Sequence, residues 1–329
     1  MPIFFIAVED FLPITCRETD SWLAVMWNLL SLLDYFLLLP LLSLFPVPLA
    51  YQLGRLRGRL HAWWNPDRTA AAGQYAERLL GDPQKVAVAK RYQEVLSCDE
   101  LDAYLFLFKP FRQVAKFIHV EGAEYLQEVK RLGKGAILLG AHLGGGLFIN
   151  PFLRSLGLTP QLIMRPVMKE EFPHLFSALH LYFRFRSWCV TRAVGAPPLL
   201  SGRGVAEAVE AVRQGTFLWI ALDVPPYLTG KTMQTEFFGH PARFPCGPFI
   251  IAARAEAPIV PFFSSLAANN QRTFRFLQPI WLTADPHEME ETFHECVRLL
   301  EKEIRTRPEQ WFFWEGPWIF FEPSSQDGR

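Results

Sequence analysis

From residue 135 onward, short continuous apolar runs alternate with amphipathic stretches, and that alternation leaves few architectures open to the chain. GAILLGAH (135–142), TFLWIALD (216–223) and APIVPFFSSL (257–266) read as strands, with TFRFLQPIWL (273–282) a further one. Short apolar runs bounded by turn residues suit strands covered on both faces. Between them, GVAEAVEAVRQG (204–215) and GPFIIAARAEA (247–257) carry helical spacing, and EMEETFHECVRLLEKEIRTR (288–307) closes the series as a helix. The expectation is an α/β fold, a mostly parallel central sheet flanked by helices. Ahead of it, from about 67 to 132, GQYAERLLG, QKVAVAKRYQEVLS and AEYLQEVKRLG place apolar residues three and four apart, as helices do. Three regions are therefore expected: an N-terminal membrane anchor (1–50), a helical region (51–132) packed on the body, and the α/β body (133–329).

The anchor is read from LAVMWNLLSLLDYFLLLPLLSLF (23–45), which holds eleven Leu and one charge, Asp34. At a rise of about 1.5 Å per residue it reaches roughly 34 Å, enough to cross a bilayer core. A central Asp opposes insertion by about 3 kcal/mol, which the many Leu, Val and Phe residues outweigh. The alternative is a buried or interfacial helical hairpin broken at Pro40. Glu9, Asp10, Glu18 and Asp20 precede the segment with a single Arg17, whereas Arg55, Arg57 and Arg59 follow it. The positive-inside rule then sets the body on the cytoplasmic face of the inner membrane.

Composition excludes several classes. Thirty-three Lys plus Arg balance thirty-three Asp plus Glu, so no basic field exists to hold a nucleic acid, and no nucleic-acid partner is expected. The five cysteines are scattered without paired spacing, and HEME (287–290) is not the HExxH that sets two imidazoles on one helical face, so no metal site is expected. The 29 Phe and 10 Trp suit either a Phe-rich core or surface meant for acyl chains.

Four segments carry chemistry. In GAILLGAHLGGG (135–146), His142 follows a strand and precedes Gly144, Gly145 and Gly146. The carboxyl end of a parallel strand is where open α/β sheets bind ligands, and successive glycines let a substrate approach main-chain N–H donors. The others are MRP (164–166) with Arg165, FFGHPARFPCGP (237–248) with Phe238, Gly239 and His240, and RTRPEQWFFWEGPW (305–318). Taken singly they also read as a surface arginine, a turn and a packed C-terminal clasp. GAHLGGG is not the dinucleotide fingerprint GxGxxG, and no GxSxG nucleophile elbow occurs.

In their order and spacing, the anchor, VEGAEYLQEVKRLGKGAILLGAHLG, MRP, the strand end at Asp223, FFGHPARFPCGPFIIAARAEAPIVPFF and LEKEIRTRPEQWFFW resemble the late acyltransferases of lipid A biosynthesis, within the lysophospholipid acyltransferase superfamily. That resemblance implies transfer of a fatty acyl group from an acyl-carrier-protein or coenzyme A thioester, as co-substrate rather than bound cofactor, to a lipid or glycolipid acceptor at a membrane. It implies catalysis by an HxxxxD/E motif, in which His142 is the base. The fifth residue beyond is Leu147, so the second ring nitrogen is expected to bond a backbone carbonyl, a water, or an acid from elsewhere such as Asp223. Arg165 is expected to bind a phosphate, and Gly144, Gly145, Gly146, Phe238, Gly239 and His240 to line the substrate site. His240 stands where the family carries arginine, and the tail reads WFFWEGPW rather than a basic HRRW-like ending. Those losses of basic groups fit a less phosphorylated acceptor, and the missing motif acid fits an amine or otherwise more nucleophilic acceptor, which needs less help from a base. A relative that binds acyl lipid or acyl carrier protein without turnover is the alternative.

Overall fold

The computed structural model describes residues 21–164, 177–200, 204–283 and 285–321. Helix α1 (Ser21–Leu33) passes through one π-helical turn (Asp34–Leu38) into α2 (Leu39–Leu44). A break at Phe45–Pro46 leads to α3 (Val47–Trp64), which runs back beside it: Asp34 pairs with Arg57 and His61, and the Trp27 and Trp64 rings meet edge to face at 6.1 Å. Four helices follow: α4 (Pro66–Leu80), α5 (Pro83–Ala89), α6 (Tyr92–Phe108) and the single turn α7 (Phe111–Val114).

The body then alternates: β1 (Ile118–Glu121), α8 (Ala123–Arg131), β2 (Ala136–Gly140), α9 (Ile149–Ser155), β3 (Thr159–Met164), α10 (Ala178–Val194), β4 (Leu199–Leu200), α11 (Val205–Arg213) and β5 (Thr216–Ala221). It ends with β6 (Thr232–Phe237), β7 (His240–Pro245), α12 (Gly247–Ala255), β8 (Ile259–Leu266), β9 (Arg272–Phe276) and α13 (Pro286–Thr306). Seven strands form one sheet in the order β1-β9-β8-β2-β5-β3-β4, and every pairing is parallel except β8 with β9. This is the α/β fold with a mostly parallel sheet that the alternation predicts. Every residue of β2 and β8 is buried, as continuous apolar runs require. Phe148, Phe217, Phe237, Phe244, Phe249 and Phe262 are fully buried, so much of the phenylalanine fills the core.

Several elements depart from the sequence reading. The hairpin breaks at Phe45–Pro46 and not at Pro40, because the π turn just ahead of Pro40 makes room for its ring and missing N–H. QKVAVAKRYQEVLS is two helices, α5 and α6, parted at Lys90–Arg91. The strand expected over 273–282 ends at Phe276. Pro279 has no N–H for a ladder, and only Ile280 bridges back to Ile259. FFGHPARFPCGP is not a mere turn but most of the hairpin β6–β7. Phe238 and Gly239 both take positive φ at its tip, as a two-residue hairpin turn demands. Helix α10 had no counterpart in the sequence reading.

Candidate active site

Strands β2 and β5 are neighbours, with Gly140 in register with Ala221. Two residues beyond each of those partners stand His142 and Asp223, so the ladder brings them side by side at the carboxyl edge of the sheet. The imidazole Nδ1 lies 2.7 Å from Asp223 Oδ1. The His142 main-chain N–H donates to the same carboxylate at 2.9 and 3.0 Å, and Trp311 Nε1 donates to Oδ2 at 3.1 Å. Asp223 is fully buried, a position a carboxylate holds only when hydrogen-bonded on all sides. Nδ1 also lies 3.3 Å from the main-chain carbonyl of Asp223, so both of its neighbours are acceptors; an Nδ1–H tautomer suits them and leaves Nε2 as an acceptor.

The turn after His142 is held from within the core. Gly144 and Gly145 have φ of 62° and 89°. A Cβ on Gly145 would lie 2.4 Å from Asp99 Oδ1, so glycine is required there. The Gly144 N–H donates to the Gln310 carbonyl at 2.9 Å. Arg272 Nη1 donates to the carbonyls of Gly144 and Gly145, and Ser264 Oγ donates to that of Gly145. Arg272 is itself tied to Asp102 Oδ2 at 2.5 Å, and Tyr51 donates to Asp102 Oδ1 at 2.7 Å. In a trans peptide the N–H faces away from its carbonyl. The N–H groups of Gly145 and Gly146 therefore face away from Arg272, and among the described residues they donate to no main-chain carbonyl.

Two cavities meet at His142. One, about 330 Å³, is walled mainly by apolar side chains, among them Leu162, Met164, Ile220, Val224, Ile250 and Phe313. The second is about 20 Å³, the size of one water molecule, and is lined by Gly145, Gly146, Leu147, Asp99, Arg186 and Trp219. Leu147 is 2% exposed, packed in the core at the position where the motif would hold an acid.

Of the residues singled out in the sequence, His142, Asp223 and the three glycines come together. Phe238, Gly239 and His240 do not line either cavity. They form the tip of the β6–β7 hairpin, whose other end, at Lys231 and Pro245, touches the large cavity. Phe238 reaches the site only through Trp311: its ring lies 6.4 Å from that of Trp311, whose indole donates to Asp223. Arg165 lies outside the described residues. Trp311 and Arg272 were not singled out. Trp311 had a signal, the aromatic cluster of the closing segment, whereas Arg272 sits in an ordinary strand sequence. The clasp is real packing: Trp311 through Trp314 are buried, and Glu315 accepts from Tyr92 and Arg68 of the helical region. Among the described residues no cluster of His, Cys, Asp and Glu is arranged to hold a metal ion.

No curated protein matches the chain. The family model described as bacterial lipid A biosynthesis acyltransferase matches residues 186–318, a stretch that includes Asp223, the β6–β7 hairpin and Trp311 but not His142 or its glycine turn. The match supports an acyltransferase of the lipid A type. Over residues 186–318 the chain is similar to the bacterial lipid A biosynthesis acyltransferases.

Proposed function

We propose that the protein transfers a fatty acyl group from an acyl-carrier-protein or coenzyme A thioester to a hydroxyl or amine of a lipid-like acceptor, working at the cytoplasmic face of a membrane. The observation that carries this reading is the His142–Asp223 pair set at the mouth of an apolar cavity of about 330 Å³. The acyl chain occupies that cavity. His142 Nε2 takes the acceptor's proton as its oxygen or nitrogen attacks the thioester carbonyl, and Asp223 stabilises the imidazolium that forms. The free N–H groups of Gly145 and Gly146 receive the negative charge that builds on the carbonyl oxygen. The tetrahedral intermediate then expels the thiolate, which recovers its proton from the imidazolium. Every proton removed is returned, and no other co-reactant is needed.

The test is acyl transfer from a panel of acyl-carrier-protein and coenzyme A thioesters to lipid acceptors, with wild type beside His142→Ala. Turnover by the wild type, and a loss of about 10³-fold or more in the variant with unchanged circular dichroism, supports the proposal. Binding of acyl donors with no turnover by either protein overturns it in favour of a non-catalytic binding role.

A further inference from the structure

One helical stretch, Val25–Leu44, is long and apolar enough to cross a membrane. Its surroundings in the fold argue for a different disposition. A crossing helix has lipid or other spanning segments around its middle. This one is fastened to the body through Asn28, Asp34 and Tyr35. Asn28 Oδ1 accepts from the Ala178 N–H at 2.8 Å, and Tyr35 stacks on Tyr182 of α10 at 4.4 Å. Tyr35 also donates to Glu100 of α6 at 3.3 Å, and Asp34 takes the Arg57 guanidinium of α3. Arg57 in turn reaches Ser97 and Glu100. Carrying the middle of this helix into hydrocarbon would bring that cluster of charges with it, or break it.

Exposed apolar side chains run the length of the helix, Met26, Leu30, Phe36 and Leu38 among them, and its buried residues lie near its C-terminal end. Val25, Leu29, Leu33, Leu37, Leu41 and Leu44 are exposed in steps of three and four, while Leu39, Leu42 and Ser43 on the other side are buried. The exposed apolar surface continues beyond the helix. Lys109 Nζ reaches the Leu44 carbonyl, which sets the tip of the hairpin beside Phe108. A chain of ring contacts then runs from Phe108 through Tyr104 and Phe185 to Trp188, and Trp188 is 46% exposed. On α10, Arg184 and Arg192 are exposed at helical spacing from Trp188, and the Arg192 guanidinium lies 5.1 Å over its ring. Between residues 21 and 64 the only acid is Asp34, which is already paired, and α10 contains none. A flat apolar face bordered by arginines and free of unpaired acids suits the headgroup boundary of an anionic bilayer.

We infer that the α1–α2 helix lies in the plane of the membrane, with its Val25–Leu44 stripe, Phe108 and Trp188 sunk in one leaflet and Arg184 and Arg192 at its anionic headgroups. This rests on the membrane attachment included in the proposed function and replaces a crossing helix with a one-leaflet anchor.

The test uses the full chain expressed in bacterial cells with an epitope tag ahead of Met1 and another after Arg329, and protease added to spheroplasts and to inverted inner-membrane vesicles. Removal of both tags in inverted vesicles, with neither cut in spheroplasts, supports the inference. One tag cut from each side overturns it but leaves membrane attachment standing. Recovery of the chain in the soluble fraction overturns attachment itself, while the acyl-transfer assay still judges the chemistry. Two variant sets add a second readout on vesicles of phosphatidylcholine and phosphatidylglycerol. Leu29→Glu with Leu33→Glu and Leu37→Glu is expected to lower binding at least ten-fold with thermal unfolding retained. Arg184→Gln and Arg192→Gln are each expected to lower it about five-fold, and only when phosphatidylglycerol is present. Unaltered binding by both sets overturns the placement of this face.

Discussion

Asp223 holds His142 twice, through the imidazole Nδ1 at 2.7 Å and through the main-chain N–H at 2.9 Å. One carboxylate therefore fixes both the ring and the backbone that carries it. Asp223→Asn keeps the shape but loses the charge that favours an Nδ1–H tautomer. The expected result is a fall in kcat of about 10⁴-fold with little change in KM, by analogy with a catalytic triad whose acid is neutralised. Steady-state acyl transfer checks it, and an activity within ten-fold of wild type would remove Asp223 from the mechanism.

Leu147 occupies the position at which a motif acid would stand, but it is core. Leu147→Asp is expected to bury an unpaired carboxylate, lower stability by about 3 kcal/mol and give no gain in turnover. Urea denaturation and the same transfer assay read both effects. A rise in kcat would mean that Asp223 does not already serve the imidazole.

How far the site could be read in the sequence follows from what strands reveal locally. The apolar runs ending at His142 and Asp223 announce two buried strands and their carboxyl ends. Which strands become neighbours is not written in either run, because β2 pairs with β5 across two intervening strands and three helices of chain. The β6–β7 hairpin was missed for a related reason. TMQTEF is mostly polar, with only Met233 and Phe237 apolar, and the hairpin's tip needs positive φ at Phe238, a residue that does not signal such a turn. Helix α10 escaped because its apolar residues surround it, with Arg186 buried on one side against Asp99 and Trp188 exposed on the other. The apolar segment at 23–45 was plain, but the intramolecular partners of Asp34 and Arg57 were not, and they change what the arginines after it signify. Arg55 and Arg57 are buried in contacts with the protein, leaving only Arg59 of the three exposed.

Asp34 supplies a pH prediction. Burial alone would raise its pKa, but hydrogen bonds from His61 and Arg57 and the Arg57 charge hold it well below the usual carboxylate range. A depressed carboxylate stabilises the fold above its unfolded pKa and loses that contribution as pH falls toward the folded one. Asp34→Asn is therefore expected to lower stability by about 2 kcal/mol at pH 7. The gap from wild type is expected to hold down to about pH 5 and to narrow as the pH falls toward 3. Thermal melts across that range measure it, and a gap that widens on acidification would contradict the sign.

The thiols of Cys98, Cys189 and Cys296 are pushed up to about 12 by burial, well above an ordinary thiol. At pH 8 their thiolate population is then about 10³-fold below that of an ordinary thiol. Iodoacetamide at that pH is expected to leave Cys98 and Cys296 unmodified in the folded protein and to label both in urea, as mass spectrometry of peptides would record. Rapid native labelling of either would show that the core opens on the timescale of the reaction.

The pairing of Gly140 with Ala221 carries a wider consequence. The gap between imidazole and carboxylate is set by the rungs of a sheet and not by a flexible loop, so it cannot be adjusted without disturbing the interior. Substitutions deep in β2, β5 or the Trp219–Phe262 contact behind them would then blunt turnover well before the protein unfolds. A protein built this way can drift freely in its surface loops while the sequence of its innermost ladder stays under constraint.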